Sequence, residues 1–517
     1  MAVLCALCAL FLFAGSHLQG NGNNLFWKDG KVTLRVSRAV YWDAGDGTGV
    51  DGRESAASVH AAIFEAIRSW VRPGRANLEL DLDFTDATSV SAGVNIVTFT
   101  DPAPFDTGVC HKERFITCTI LSFTEDGAIA SASVAFNPYK RHSSLGLEGT
   151  HDLGLIMMHE MGHTLGLDHS FLTESVMTSE AGQEPVAGAP RLFAVRRLAE
   201  DDLATLAGLY PLEPVSAIQG VVKLARTPVA GARVVAIDAS GRVPAGVWSL
   251  EDGSYRLLVS PGEYLVVAEP ADGPAVAFET AVSIAAGQTR EDVNVNLSPA
   301  AGGGKPIVDS VGVVANGLYP GMSRVDLARG LDYRFALTRT PVGLPVELLF
   351  PETAVQRTGS VSSPASAPQL VRQTIQVSSE AVPGSYALFV RAAESITLLT
   401  APLRVVTNPR LDSIHDPESG ERVETLRSGR RYLLRGADFS VGQSVAPVEF
   451  EGAPPPTQLE GVALRLGDRF LPIVSINPAE MLFELPGGTV DAAAEGRLVL
   501  VTGSSIQSNP LPVIVAP

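Results

Sequence analysis

Three histidines and a glutamate stand out by their spacing: His159, Glu160, His163 and His169, in the run HEMGHTLGLDH. On a helix, residues four apart lie on the same face, one turn apart. His159 and His163 can therefore offer their imidazoles to one ion at the usual Zn–N distance of about 2.0–2.1 Å. Gly166 comes three residues after His163. A glycine there can end the helix in a left-handed conformation, so that the chain turns back and brings His169 to the same ion. Three neutral nitrogens leave a fourth position for water, as a catalytic zinc requires. Glu160 adjoins the first ligand and need not occupy the metal. It is placed to take the proton of that water during attack on a carbonyl, then to pass it to the leaving amine. The chemistry implied is metal-assisted amide hydrolysis with Zn2+ as cofactor. A purely structural zinc would take a fourth protein ligand and has no use for Glu160.

The elements that must position these groups can be read on either side. Residues 152–167 form a predicted helix with Asp152 as its N-cap. Residues 54–72 carry apolar side chains at Val59, Ile63, Ala66, Ile67 and Trp70, the spacing of an amphipathic helix, and Pro73-Gly74 stops it. Residues 198–210 form another helix, with Leu198, Leu203, Leu206 and Leu209 near one face and Pro211 after its end. Short β-like runs fall at residues 31–37, 78–84, 95–100, 117–123 and 128–136. Residues 24–212 thus read as one α+β unit.

This pattern resembles the metzincin metallopeptidases, and among them the matrixins. Ser170 follows the third histidine, and Met177 lies eight residues after His169, the matrixin spacing of the Met-turn beneath the metal. Asp201 and Asp202 match the acidic pair that in matrixins braces this region; alone they would read as a solvated helix start. Residues 127–136 resemble the edge strand above the cleft, to which a substrate could add as an extended strand. The resemblance implies a twisted mixed sheet, an active-site helix, a C-terminal helix, and a protein or peptide substrate. Three features depart from it. No Pro-Arg-Cys-Gly segment appears, Thr178-Ser179 stand where Tyr-Pro is usual, and no His-x-Asp spacing for a structural zinc is present. His111, His142 and His151 therefore read as surface or loop residues. The Asp43–Asp51 loop offers carboxylates that could hold Ca2+, but its spacing is not that of an EF-hand, and a solvated hairpin tip is the simpler reading.

The remainder of the 517-residue chain has a different texture. Residues 216–298 carry short β segments between turns such as Asp252-Gly253 and Pro261-Gly262, and resemble carboxypeptidase regulatory-like β-sandwiches. Residues 300–304 read as a linker. Two segments then echo each other: Asp309-Ser310-Val311, Gly330 and Tyr333 return as Asp412-Ser413-Ile414, Gly429 and Tyr432. Residues 305–407 and 408–517 are therefore read as two related immunoglobulin-like sandwiches, the second resembling IPT/TIG-type modules. The expected architecture is a multidomain chain: an α+β metzincin-like head followed by about three all-β sandwiches.

Residues 1–20 are apolar over 2–14 with small residues at Ala14, Gly15 and Ser16, and read as a secretory signal of a bacterial exported protein. Cys5 and Cys8 fall within it. Cys110 and Cys118 form a close pair that export would oxidise to a disulfide; two free thiols, or a metal clip with His111, are the alternatives. A net charge of −17 argues against nucleic acid or an anionic membrane as partner. No stretch beyond the leader is long and apolar enough for stable membrane insertion. The reading is a secreted zinc endopeptidase whose tail attaches it to a cell-surface or matrix component. Its rival is a non-enzymatic adhesion protein with a vestigial head, against which the intact Glu160 speaks, since folding does not need it.

Overall fold

The computed structural model describes residues 2–5 and 17–517, apart from 53, 73, 75, 92, 145–148, 179–195, 300–305, 314–323, 341–344, 394, 441–443, 448–454, 468, 490–491 and 504–505. Residues 6–16 of the segment read as a signal, Pro73, Ser179 and residues 300–304, read as a linker, lie outside that set.

The head is built on β1 (Lys31–Ser37), α1 (Ala56–Ser69), β2 (Glu79–Thr85), β3 (Ile96–Thr98), β4 (Thr117–Phe123), β5 (Ile129–Phe136), α2 (Leu153–Thr164) and α3 (Glu200–Leu209). Its sheet runs in the order β2-β1-β3-β5-β4, with strand Ala2–Cys5 beyond β4. All pairs from β2 to β5 are parallel; β4 is antiparallel to β5, and Ala2–Cys5 antiparallel to β4. This corrects one expectation. The run 127–136 is not an edge: β5 is hydrogen-bonded on both sides, to β3 and β4, and β4 is covered in turn by Ala2–Cys5. The N-terminal boundary also shifts. Leu18 is buried and donates its N–H to Gly166 O at 2.8 Å, so the fold begins before residue 20.

Helices α1 and α2 pack together on the sheet. Ser55 caps α1, its hydroxyl accepting from Ser58 N at 3.1 Å. Asp152 caps α2 by accepting from Leu155 N at 2.8 Å. The core between helices and sheet is continuous, running through Val32, Leu34, Ile63, Ile67, Trp70, Val97, Val134, Met157 and Met161. Cys110 and Cys118 are joined in a disulfide on the far side of β4, buried with Phe105 and Ala135.

The tail is β throughout. Residues 217–297 form two facing five-stranded sheets. The next two modules repeat one plan. In the first, Ile307–Val313 pairs with Asp332–Thr340, and Val325–Ala328 runs parallel to Ser395–Val406. In the second, Arg410–His415 pairs with Arg430–Ala437, and Thr425–Arg427 runs parallel to Leu511–Ala516. Both opening strands bulge at the aspartate before the repeated serine, Asp309 and Asp412. Each repeated tyrosine accepts from a backbone N–H five residues upstream: Tyr333 from Ala328, Tyr432 from Arg427.

With the head as first module, the second (residues 217–297), third (307–406) and fourth (410–516) all touch it. An apolar cluster joins Phe171 and Leu172 of the head to Val235, Ile237, Val243 and Val267 of the second module and Ala387, Phe389 and Leu398 of the third. Arg196 of the head donates its backbone N–H to Gln458 of the fourth at 2.8 Å. Among the described residues, no helix is long and apolar enough to cross a membrane.

Candidate active site

Helix α2 carries His159, Glu160 and His163, and its C-terminal carbonyls are satisfied from outside the helix. The Trp27 indole N–H donates to Thr164 O at 2.7 Å, and the Tyr210 hydroxyl donates to Leu165 O at 2.7 Å. These are the carbonyls a helix end leaves without partners. Gly166 then takes φ +95°, and a Cβ on it would lie 2.2 Å from Leu25 O. The turn therefore needs glycine both for its backbone angle and for lack of room. Beyond it, His169 swings back to the two helical histidines.

The three rings form a compact group, with centroids 4.7, 4.8 and 5.2 Å apart. One donor atom from each lies within 4.8 Å of the other two. The Nδ1 atoms of the helical pair face inward to backbone carbonyls: His159 to Val176 O at 2.7 Å, His163 to Leu167 O at 2.9 Å. That arrangement sets Nδ1 as the protonated nitrogen and leaves Nε2 as a lone-pair donor. The Nε2 atoms of His163 and His169 are buried without a hydrogen-bond partner. Unpartnered buried polar atoms are costly unless something binds them. Burial, with the neighbouring imidazoles, holds His163 well below the usual histidine range and His169 down to about 4. Neutral, converging and unpartnered nitrogens are the donor set a zinc ion takes, so these residues fit the metal. Among the described residues this is the one such group of three or more.

Glu160 is 2% exposed, and its carboxylate meets β4. Thr117 donates its hydroxyl to Oε1 and Thr119 donates to Oε2. Neither threonine was singled out from the sequence; the signal available was a Thr-x-Thr pair on the strand read at 117–123.

Met177 lies beneath α2. A Cβ on Gly162 would meet Met177 Sδ at 2.1 Å, so the glycine between the two ligands makes room for the sulfur. The turn is tied by Ser170 N to Met177 O at 2.9 Å and Met177 N to Ser175 Oγ at 3.0 Å. Asp201 and Asp202 are buried rather than solvated. Asp202 accepts from Ser175 Oγ, from Val176 N at 3.0 Å and from Ala199 N at 2.8 Å, so it braces the turn directly. Asp201 accepts from Ser170 Oγ at 2.7 Å and from Gly246 N of the second module at 3.2 Å. Burial, with the Asp202 charge beside it, pushes Asp201 up to about 7. The turn is held from the tail as well. Ser385 N of the third module donates to Glu174 at 2.9 Å, and Phe171 meets Trp248 of the second edge-on at 5.0 Å.

Other residues considered as ligands are engaged elsewhere. Arg141 lies 3.3 Å from the Asp43 carboxylate and 2.8 Å from that of Asp51, and Asp46 accepts from Thr48 N at 3.1 Å, so the carboxylates of the loop read as a possible calcium site are engaged within the protein. His142 and His151, expected at the surface or in loops, are instead buried on paired short strands, with rings 6.0 Å apart and His142 Nε2 facing Asn137 O at 2.9 Å. Neither joins a further group of three metal-binding side chains among the described residues.

Comparison with known proteins adds a family. No curated protein matches the chain. Among solved structures, similar ones include the surface glycan-binding protein PbSGBP-B from Prevotella bryantii, at 14% identity and TM-score 0.19, over 40% of this chain and 41% of that one. This chain thus spans under half of that protein's length. A three-immunoglobulin fragment of titin matches at 10% identity and TM-score 0.20, over 59% of this chain and 96% of the fragment. Domains 5 and 6 of the S-layer protein SbsC match at 12% identity and TM-score 0.15, over 41% and 99%. Likeness this slight says nothing of ligands or partners. The matrixin family profile, by contrast, matches residues 42–211, the segment that holds the three histidines, Glu160 and Met177, and the head of this chain is accordingly a matrixin-like metzincin domain.

Proposed function

We propose that this chain is a secreted zinc-dependent endopeptidase that hydrolyses internal peptide bonds of proteins, with Glu160 as general base. The observation that carries the reading is the convergence of three histidine nitrogens on one point, next in sequence to a buried carboxylate held by two threonines. Zinc, when bound, supplies the Lewis acidity that activates water and polarises the scissile carbonyl. His159, His163 and His169 would hold it. Glu160 accepts the proton of the attacking water and returns it to the leaving amine. Ala2–Cys5 lies antiparallel along β4, and an extended peptide that took its place would find the same backbone groups. Export is supported by the apolar leader and by the Cys110–Cys118 disulfide. The tail sandwiches brace the Met-turn and leave outward surfaces for attachment.

The test is zinc content measured beside chelator-sensitive cleavage of an unfolded protein. One zinc per chain with sustained proteolysis is expected, and Glu160→Ala should keep the zinc and lose turnover by at least about 100-fold. Zinc bound without any cleavage, or an active Glu160→Ala variant, would overturn the assignment.

A further inference from the structure

Glu160 is buried in the gap between α2 and β4, and the residues that meet it there are a designed pair. In a strand, side chains alternate between faces, so Thr117 and Thr119 project to one side and Cys118 to the other. Thr117 is 3% exposed and Thr119 is fully buried. Each donates its hydroxyl to a different oxygen of the Glu160 carboxylate. A carboxylate out of water needs donors, and hydroxyl bonds to an ionised oxygen are among the stronger hydrogen bonds. One donor would leave the group free to rotate about its last torsion, which is soft for glutamate. Two donors, one on each oxygen, fix the plane of the carboxylate as well as its position.

The strand that carries the threonines is itself held in register. On its far face Cys118 is tied to Cys110 and packed against Phe105 and Ala135. Along its inner edge Thr117 pairs with Phe136 and Thr119 with Val134 of β5. The hydroxyls therefore present a rigid bracket to the helix. Each carboxylate oxygen can accept more than one hydrogen bond, so the bracket leaves acceptor capacity for a water in the cleft.

From this geometry, and resting on the endopeptidase reading above, we propose that Thr117 and Thr119 are positioning residues that orient the Glu160 carboxylate for proton transfer. Their hydroxyls are spent on the Glu160 carboxylate and not on the ligand histidines. Their effect is on the orientation of the base, so it falls on turnover and not on substrate capture. A merely structural role would instead lower stability and zinc binding together and would not distinguish serine from valine.

The experiment uses the full chain loaded with zinc, with Thr119→Val, Thr119→Ser, Thr117→Val and the double Val variant. Valine keeps the branched shape that a strand favours and removes only the hydroxyl. Loss of one hydrogen bond to a charged group should lower kcat by roughly 10- to 100-fold, with KM within about two-fold and zinc still at one per chain. Thr119→Ser should restore kcat to within a few-fold of wild type. A second measurement does not depend on turnover. Acetohydroxamate chelates zinc through its two oxygens and can share a proton with a carboxylate beside the metal. Calorimetry should show its affinity falling in the Val variants, in parallel with Glu160→Ala, and recovering in Thr119→Ser. A wild-type protein that binds zinc and acetohydroxamate but cuts nothing would sink the endopeptidase reading, while the calorimetric series would still decide the role of the threonines. Val variants that match wild type in both kcat and acetohydroxamate affinity would overturn the positioning role.

Discussion

Replacing Gly166 by alanine separates two costs imposed by the turn after α2. The first is conformational: at φ +95° an L residue is disfavoured by about 1–2 kcal/mol. The second is steric, because the new Cβ would lie 2.2 Å from Leu25 O. That stretch of backbone cannot easily retreat. Leu25 N donates to Leu18 O and Leu18 N donates to Gly166 O, both at 2.8 Å. Crowding of this kind costs a further ~1–3 kcal/mol, so the total is roughly 2–5 kcal/mol. At about 2–4 °C per kcal/mol for a domain of this size, the head should melt about 4–20 °C lower. Gly93 supplies the control. It sits at φ +79° with nothing within 4 Å of where its Cβ would be, so Gly93→Ala carries the conformational cost alone, about 1–2 kcal/mol. Scanning calorimetry of the two variants reads the difference. Zinc titration reads its consequence, because moving the turn pulls Leu167 O from His163 Nδ1 and His169 from its neighbours. Zinc affinity of Gly166→Ala should fall by at least about ten-fold, and that of Gly93→Ala should not change. Equal melting losses with equal zinc affinities would refute the claim that this turn has no room for a side chain.

Three further outcomes follow from the buried charges. Asp201 is raised to about 7, so its proton is bound more tightly folded than unfolded, and its contribution to stability is lost progressively as pH rises from the unfolded value near 3.8 through 7. Asp201→Asn, which mimics the protonated acid, should therefore be more stable than wild type at pH 8, less so at pH 5, and close to it only near pH 4, by denaturant melts at each pH. Asp202→Asn should be destabilised by about 1–3 kcal/mol at pH 5 and pH 8, since an amide that keeps its oxygen on the Val176 and Ala199 N–H groups sets its N–H₂ against the Ser175 hydroxyl, which loses its acceptor. His163 and His169 are held neutral by burial, with folded pKa values below the unfolded one. The metal-free protein should thus lose stability as pH falls from about 6.5 toward 4, and saturating zinc at pH 7 should raise its melting temperature.

Local sequence carried much of this site. The ligand spacing, the Gly166 turn, Met177 and the caps of α1 and α2 are all properties of neighbouring residues, and the helix ends differ from expectation by two or three positions where Ser55 and Trp70, rather than the apolar pattern, set them. What escaped was tertiary. Residues 117–123 and 128–136 look alike as strands, because each is buried on both faces, and only the pairing order shows which lies nearer the edge. Thr117 and Thr119 lie more than forty residues from Glu160, so nothing local marks them. Asp201 and Asp202 look like a solvated helix start until the Met-turn and the second module close over them. Tyr210 caps a helix that ends 46 residues before it and left no sign of doing so.

A protease lives among its own products and its own kind, and any segment that opens is a candidate for being cut. The loop from Ser170 to Met177 borders the site and would be the natural weak point. It is instead seated in an apolar cluster shared with two tail modules and tied by Glu174 to Ser385 and by Thr173 O to Arg324. Opening it means undocking several domains together, an event far rarer than the breathing of a loop held by one. The sandwiches thereby act as a clamp on the segment that borders the site.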